Sequence, residues 1–147
     1  MHPNERPMAT TPASTPVLHR FLGIGLVLVA AAFLVLRYLG IAPLLPIDRF
    51  TIEIAYGSSG LAVVLAAVAL FVFKPRVPNR VPGQSVQEYW STPEVCAKVI
   101  PVWFLLEGAG MMAAAGYLLA GEHVSAITMA LAIGAFWLCG PSEFAKA

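Results

Sequence analysis

The apolar segment 99–120 limits what this chain can fold into more than any other stretch. A helix rises about 1.5 Å per residue, so a helix over this segment crosses the roughly 30 Å hydrocarbon core of a bilayer. That core holds no water to satisfy backbone groups, and a single spanning segment must therefore be helical. One carboxylate, Glu107, lies near the middle of the segment. The segment predicts a membrane-spanning helix with an acidic group close to its midplane.

Composition extends this prediction to the whole chain. Hydrophobic residues make up 59% of the sequence and charged residues 12%, whereas soluble domains average about 25% charged residues. Four apolar runs account for the excess of hydrophobic residues. We therefore predict an all-α integral membrane four-helix bundle over residues 17–141, with four transmembrane helices at about 17–39, 49–73, 93–120 and 124–140.

Polar segments flank and separate these helices. Residues 1–16 are polar and contain four prolines, so they are predicted to form a disordered tail. Segment 74–91 combines prolines with basic residues, which predicts an extended and mobile loop. Within that loop, Ser85 and Glu88 have the spacing of a capping box and indicate a short helical turn. Residues 142–147 are predicted to be a short tail.

The basic residues are distributed unevenly between the two sides of a four-helix topology. Seven share the side of the termini and the central loop, namely Arg6, Arg20, Lys74, Arg76, Arg80, Lys98 and Lys146. Two lie on the other side, Arg37 and Arg49. Because basic residues are enriched in cytoplasmic segments, we predict a multi-pass protein of the plasma (inner) membrane with both termini and the central loop in the cytoplasm.

Glu107 is the candidate intramembrane proton or ion site. An acidic group at the centre of a spanning helix costs roughly 2.5–3.5 kcal/mol on insertion scales, so it should be neutral, paired or in contact with water. The fourth helix reaches the same depth near Trp137, whose indole N–H is a suitable donor to the carboxyl group. Two hypotheses remain open: Glu107 binds a proton or cation, or it is a neutral acid that hydrogen-bonds to a neighbouring helix.

Small and hydroxyl-bearing residues are the candidates for helix packing. Gly108, Gly110 and Ala114 follow Glu107 on the third helix, and Ser58 and Ser59 lie on the second. Small residues let transmembrane helices approach closely, and hydroxyl groups hydrogen-bond across the interface. The two serines could also belong to a substrate site, although packing is the commoner use.

The start of the third helix has a clear local signal. Thr92, Pro93 and Glu94 supply an N-cap residue, a proline at the first helical position and an acid at the positive end of the helix dipole. Pro101 then falls inside the helix. Because proline has no N–H group and clashes with the preceding turn, we predict a kink there, which leaves the Ala97 carbonyl without its usual partner.

Segment 105–116 resembles the carboxylate-bearing helix of the two-helix rotor proteolipids, which also has one acid among small residues. The resemblance covers about a dozen residues and implies a proton-binding carboxylate at Glu107. The chain departs from that family in the long loop before this helix and in the lack of a glycine-rich partner helix. The resemblance is an analogy for one helix, and it does not imply membership.

The sequence has few signs of other chemistry. It contains no metal-ligand cluster, no nucleophile with a base and no phosphate-binding glycine loop, and we predict no cofactor. The net charge of +1 argues against nucleic acid as a partner. The predicted partners are the lipid bilayer and other membrane helices. Two functions are consistent with these features: a non-catalytic accessory or structural subunit of a larger membrane complex, or a homo-oligomeric proton- or cation-linked carrier or channel built around Glu107.

Overall fold

The computed structural model describes residues 14–41 and 49–146, and within these ranges it is helical without strands. The all-helical prediction is therefore confirmed. The helices in chain order are α1 (Ser14–Tyr38), α2 (Arg49–Ala67), α3 (Val86–Trp90), α4 (Pro93–Ala120), α5 (His123–Leu138) and α6 (Pro141–Phe144). Residues 1–13 of the predicted tail lie outside the described residues. Its last residues, 14–16, belong to the first turn of α1, where a proline is tolerated because the first N–H groups of a helix have no helical acceptor.

Among the described residues, three helical segments are long and apolar enough to cross a membrane: Thr15–Tyr38, Phe50–Arg76 and Pro93–Ala120. The chain is thus an integral membrane protein. Helix α5 is apolar but has only 16 residues, which makes it about 24 Å long and shorter than a typical hydrocarbon core.

Helix α4 is the centre of the bundle. Half of its most apolar window is buried inside the protein, against 17% for each of the other two long segments. It packs along α1, α2 and α5, while α1 and α2 scarcely touch each other. In cross-section, α5 therefore lies on one side of α4 between α1 and α2, and none of the helices in 14–41 and 49–146 lies over the opposite side of α4.

Both ends of α4 follow from local sequence. Thr92 occupies the N-cap position and Pro93 the first turn, as predicted, although the Thr92 hydroxyl donates to the Glu88 carbonyl and does not cap α4. At the other end, Gly121 adopts a left-handed conformation with φ of +73° that a residue with a side chain rarely adopts. The short turn at Gly121 makes α4 and α5 antiparallel neighbours.

The end of α2 departs from the regular helix predicted over 49–73. Residues Val68–Phe73 form a π-helical turn, and Lys74–Arg76 form a 3₁₀ turn. The Lys74 N–H donates to the Ala69 carbonyl, five residues earlier. Pro75 follows and has no N–H to continue an α-helical pattern, so the helix changes pitch before it stops.

The central loop is more ordered than its composition predicts. Ser85 and Glu88 form a complete capping box at the start of α3, as their spacing indicates. The Tyr89 hydroxyl donates to the Pro78 carbonyl, and the Arg80 guanidinium donates to the Gln84 carbonyl. These bonds fold part of the loop back onto itself, which differs from the extended segment that its composition predicts.

Contacts place several chain segments at one end of the bundle, which we call the loop end. Thr15 at the start of α1 hydrogen-bonds Cys96 at the start of α4, with 3.2 Å between oxygen and sulfur. Lys74, after α2, forms an ion pair with Glu143 of α6 at 3.5 Å. The opposite end, which holds the Gly121 turn, is called the turn end.

Candidate functional site

Glu107 lies on α4 at the boundary between packed and outward-facing side chains. Trp103 and Gly110, its neighbours on the packed side, are buried. Phe104 and Met111, its neighbours on the other side, are 51% and 39% exposed. Residues three and four apart share a helix surface, so the partly buried Glu107 borders both groups.

The outward side of Glu107 opens between α1 and α2. On one flank, Gly110 packs against Leu26 of α1, and on the other, Gly108 faces Leu65 of α2. With 3.6 residues per turn, Glu107 falls on the arc of α4 between these two flanks. Because α1 and α2 scarcely touch each other, no helix that the structure describes lies over this arc. We call Phe104, Glu107 and Met111 the open face of α4.

The Glu107 carboxyl group has no hydrogen bond or ion pair with any residue in 14–41 or 49–146. The neighbours along its own helix are apolar or lack a suitable side chain. A carboxyl group in hydrocarbon without a partner is costly, so the group is expected to be neutral or to find a donor outside this chain.

Trp137 of α5, the predicted donor to Glu107, lies beside α1. Its ring is 46% exposed and stands edge-on to the His19 ring, with centroids 5.6 Å apart. It packs beside Gly23 of α1, where an added Cβ would come within 2.9 Å of the indole. Among the residues that the structure describes, no hydrogen bond joins Trp137 to Glu107, so these two predicted site residues are not brought together.

His19, to which the sequence assigns no role, is part of the core at the loop end. His19 is only 2% exposed, and its ring stacks on Phe136 of α5 with centroids 4.4 Å apart. Its Nε2 lies 3.2 Å from the Phe136 carbonyl oxygen. A carbonyl only accepts, so Nε2 carries the hydrogen and donates. Spacing could have revealed this residue, since Thr15, His19 and Leu26 are buried at intervals of four and seven.

Trp103 provides the second polar link at this end. Its Nε1 donates to the Cys139 carbonyl at 2.7 Å, and its ring lies 4.8 Å from that of His19. The carbonyl of Cys139 follows the last turn of α5, where helix carbonyls lack helical partners. Trp103 therefore ties α4 to the end of α5 and supports the stacked His19.

The predicted packing serines meet α4 and α5 near the turn end. Gly116 of α4 lies so close to Ser58 that an added Cβ would overlap the serine hydroxyl and stand 2.8 Å from its Cβ. The Ser59 and Ser125 hydroxyl oxygens are 3.2 Å apart, and Ser125 also donates to the Ala55 carbonyl. These contacts have the character of helix packing. Ser125 was not predicted, because a hydroxyl group in an apolar helix carries no pattern of its own.

The other predicted packing residues differ in how tightly they fit. A Cβ at Gly110 would lie 2.7 Å from Leu26 of α1, and Ala114 is fully buried. At Gly108 the nearest atom would be 4.0 Å away, which is ordinary contact. Pro101 lies inside α4, and the helix continues through it to Ala120.

The described residues contain no group of three or more histidine, cysteine or acidic side chains that could hold a metal ion. Cys96 and Cys139 are free thiols. The arrangement thus offers one membrane carboxyl group on an open helix face, a stacked histidine and a buried hydroxyl cluster. No protein-family model, curated protein or solved structure matches the chain.

Proposed function

We propose that the protein is a non-catalytic subunit of a larger membrane complex, and that a partner helix lies on the open face of α4. The observation that carries this proposal is the Glu107 carboxyl group without a partner among the described residues, on an arc of α4 that no described helix covers. Lipid tails cannot hydrogen-bond to a carboxyl group, whereas a neighbouring helix can supply a donor. Phe104 and Met111, about one helical turn before and after Glu107 on the outward side, supply apolar contact area.

The polar groups of the bundle do not converge as a carrier needs. Transport sites combine several polar groups at mid-depth. The hydroxyl cluster at Ser58 faces Gly116, about 13 Å along α4 from Glu107. The ring nitrogen Nε2 of His19 already donates to a backbone carbonyl. This separation favours a role in assembly over a role in translocation.

We also propose four membrane crossings with both termini and the central loop in the cytoplasm, α5 being the fourth crossing. Support comes from the basic side chains gathered at the loop end, since cytoplasmic segments of membrane proteins are rich in lysine and arginine. A phosphatase reporter fused after residue 147 should be inactive, and one inserted after Gly121 should be active. The reverse pattern would refute this orientation.

The decisive experiment compares a bulky substitution on the open face with the same change elsewhere on the surface. Met111→Trp should block the partner helix, while Leu131→Trp on the outer side of α5, where Leu131 is 69% exposed, should not. The readout is the composition and mass of the particle extracted from native membranes in mild detergent. Loss of unrelated subunits with Met111→Trp alone supports the proposal, and extraction of the wild-type chain without any such subunit refutes it.

One observation favours a second function, a proton- or cation-linked homo-oligomeric carrier or channel. Glu107 is the only acidic residue in the interior of the apolar segment 99–120, and membrane carboxyl groups often bind protons. Glu107→Gln separates the two functions. In an assembly role the amide can still hydrogen-bond, so the complex persists; in a carrier, Glu107→Gln abolishes flux into liposomes while the oligomer remains intact.

A further inference from the structure

A cavity of about 300 Å³ opens at the loop end, between the start of α1 and the joint between α5 and α6. Its walls include His19, Arg20, Trp137, Gly140 and Ser142. This volume is at the lower limit of small-ligand sites. The cavity is separate from the open face of α4, so a ligand bound in it would be independent of the proposed function.

The wall of the cavity that faces the bundle is held in place by hydrogen bonding and ring packing. His19 is held by its hydrogen bond to the Phe136 carbonyl and by stacking on the Phe136 ring. Gly140 lies next to this ring and has no side chain. An added Cβ would lie 3.6 Å from His19 Cε1 and 3.2 Å from the Trp137 carbonyl oxygen, so it would take up the space beside the ring. Space at this position therefore comes from a glycine next to a fixed aromatic ring.

Arg20 differs from the other basic side chains of the loop end. Lys74, Lys98 and Lys146 pair with carboxylates. Arg76 lies over the Phe73 ring, and Arg80 donates to the Gln84 carbonyl. Within residues 14–41 and 49–146, Arg20 alone among these cations has neither an ion pair nor an aromatic or hydrogen-bond partner.

The level of the cavity in the membrane points to the class of ligand. It lies at the loop end, beside the first residues of the span Thr15–Tyr38, and basic side chains near the end of a spanning helix reach the headgroup region of a bilayer. A guanidinium group presents paired donors that match phosphate oxygens, and the nearby Ser142 hydroxyl supplies a further donor.

We propose that this cavity binds a phosphate group, which Arg20 and Ser142 hold against the wall formed by His19 and Gly140. Two sources share this chemistry: the headgroup of an anionic phospholipid and a soluble phosphate. Because the cavity lies next to the spanning helix α1, a phosphate group from either source can reach it.

The test uses the full chain in phosphatidylcholine nanodiscs with and without phosphatidate, and reads bound lipid by native mass spectrometry. Arg20→Gln should weaken phosphatidate binding about tenfold, equivalent to about 1.4 kcal/mol, because it removes the charged donor of the hydrogen bonds to the phosphate. Arg76→Gln removes an equal charge at the same end outside the cavity, and it should leave binding within about twofold.

A second variant controls for loss of the fold and for the change in net charge. Ser142→Trp keeps the net charge and fills the cavity from an exposed position, so it should also abolish binding. Equal weakening by Arg20→Gln and Arg76→Gln, or normal binding by Ser142→Trp, would overturn the proposal. Wild-type chain that binds neither phosphatidate nor inorganic phosphate would overturn it as well.

Inorganic phosphate, added against chloride of equal ionic strength, distinguishes the two sources. Displacement of phosphatidate by millimolar phosphate supports a site for a soluble phosphate. Phosphatidate binding that depends on Arg20 and resists inorganic phosphate supports a lipid headgroup as the source.

Discussion

The packed and open faces of α4 are both suited to a membrane, yet other helices approach closely on only one of them. The packed face carries glycine and alanine where other helices approach, as at Gly116 against Ser58 and Gly110 against Leu26. The open face carries Phe104, Glu107 and Met111. In a bilayer, hydrophobicity cannot mark the face that meets another helix, because lipid tails are equally apolar. The closeness of approach between helices marks it instead.

The largest effect should come from adding a methyl group to the packed face. Gly116→Ala would overlap Ser58 and crowd Ser125, whose hydroxyl is 3.3 Å from the added carbon. Overpacking of this kind costs about 1–3 kcal/mol, and we expect the upper end because Ser125 is fully buried and Ser58 is held by its hydrogen bond to the Ala55 carbonyl. Thermal unfolding in detergent measures the loss. Gly108→Ala, with its nearest atom 4.0 Å away, is the control and should be close to neutral.

A pair of methionines compares the interior with the surface using one chemical change. Met129 of α5 is 4% exposed, whereas Met111 on the open face is 39% exposed. Met129→Ala should cost about 2 kcal/mol, the low end of the usual range, since unfolding within a membrane exposes the chain to lipid and not to water. Met111→Ala should cost less than about 0.5 kcal/mol in the purified chain. Equal losses would show that the open face is packed.

Two tryptophans separate the effect of a hydrogen bond from that of ring packing. Trp103→Phe removes the donor to the Cys139 carbonyl and leaves a buried acceptor, which should cost about 1 kcal/mol beyond the lost ring area. Trp137→Phe removes an indole N–H that has no acceptor among the described residues, so it should cost less. The difference in melting temperature between the two variants is the quantity to measure.

The smallest effect concerns pH and should leave both faces of α4 unchanged. A hydrogen bond and ion pair with Lys146, together with the charge of Lys74, lower the pKa of Glu143. A carboxyl group with a lowered pKa in the folded state stabilises that state above its unfolded pKa, and this contribution disappears as pH falls through the folded value. Amide exchange in α6 should therefore accelerate only below the ordinary carboxyl range. Glu143→Gln should remove this pH dependence, and a response in α4 would contradict the assignment.

Several features were readable from the sequence because they depend on short stretches of chain. The helical segment Pro93–Ala120 followed from apolar length and from Thr92 and Pro93 at its start. The capping box of Ser85 and Glu88 followed from their spacing. These signals are local, so composition and neighbour order were enough to find them.

The direction in which side chains leave each helix could not be predicted from the sequence. Trp137 was expected at Glu107 from depth alone, but depth says nothing about the direction in which a residue leaves its helix. His19 was passed over beside Arg20, although it stacks on Phe136, a residue distant in sequence. Both outcomes depend on how helices rotate about their axes, and packing between helices sets that rotation.

The sequence by itself determined that the chain is helical and apolar enough to cross a membrane, because a bilayer allows no other backbone for a lone apolar segment. Only the tertiary structure decided which face of α4 is covered. Nearly every position of α4 is apolar, so the covered face depends on the close fit of Gly110 and Gly116 against neighbouring helices and on the gap between α1 and α2 that leaves Glu107 at the open face.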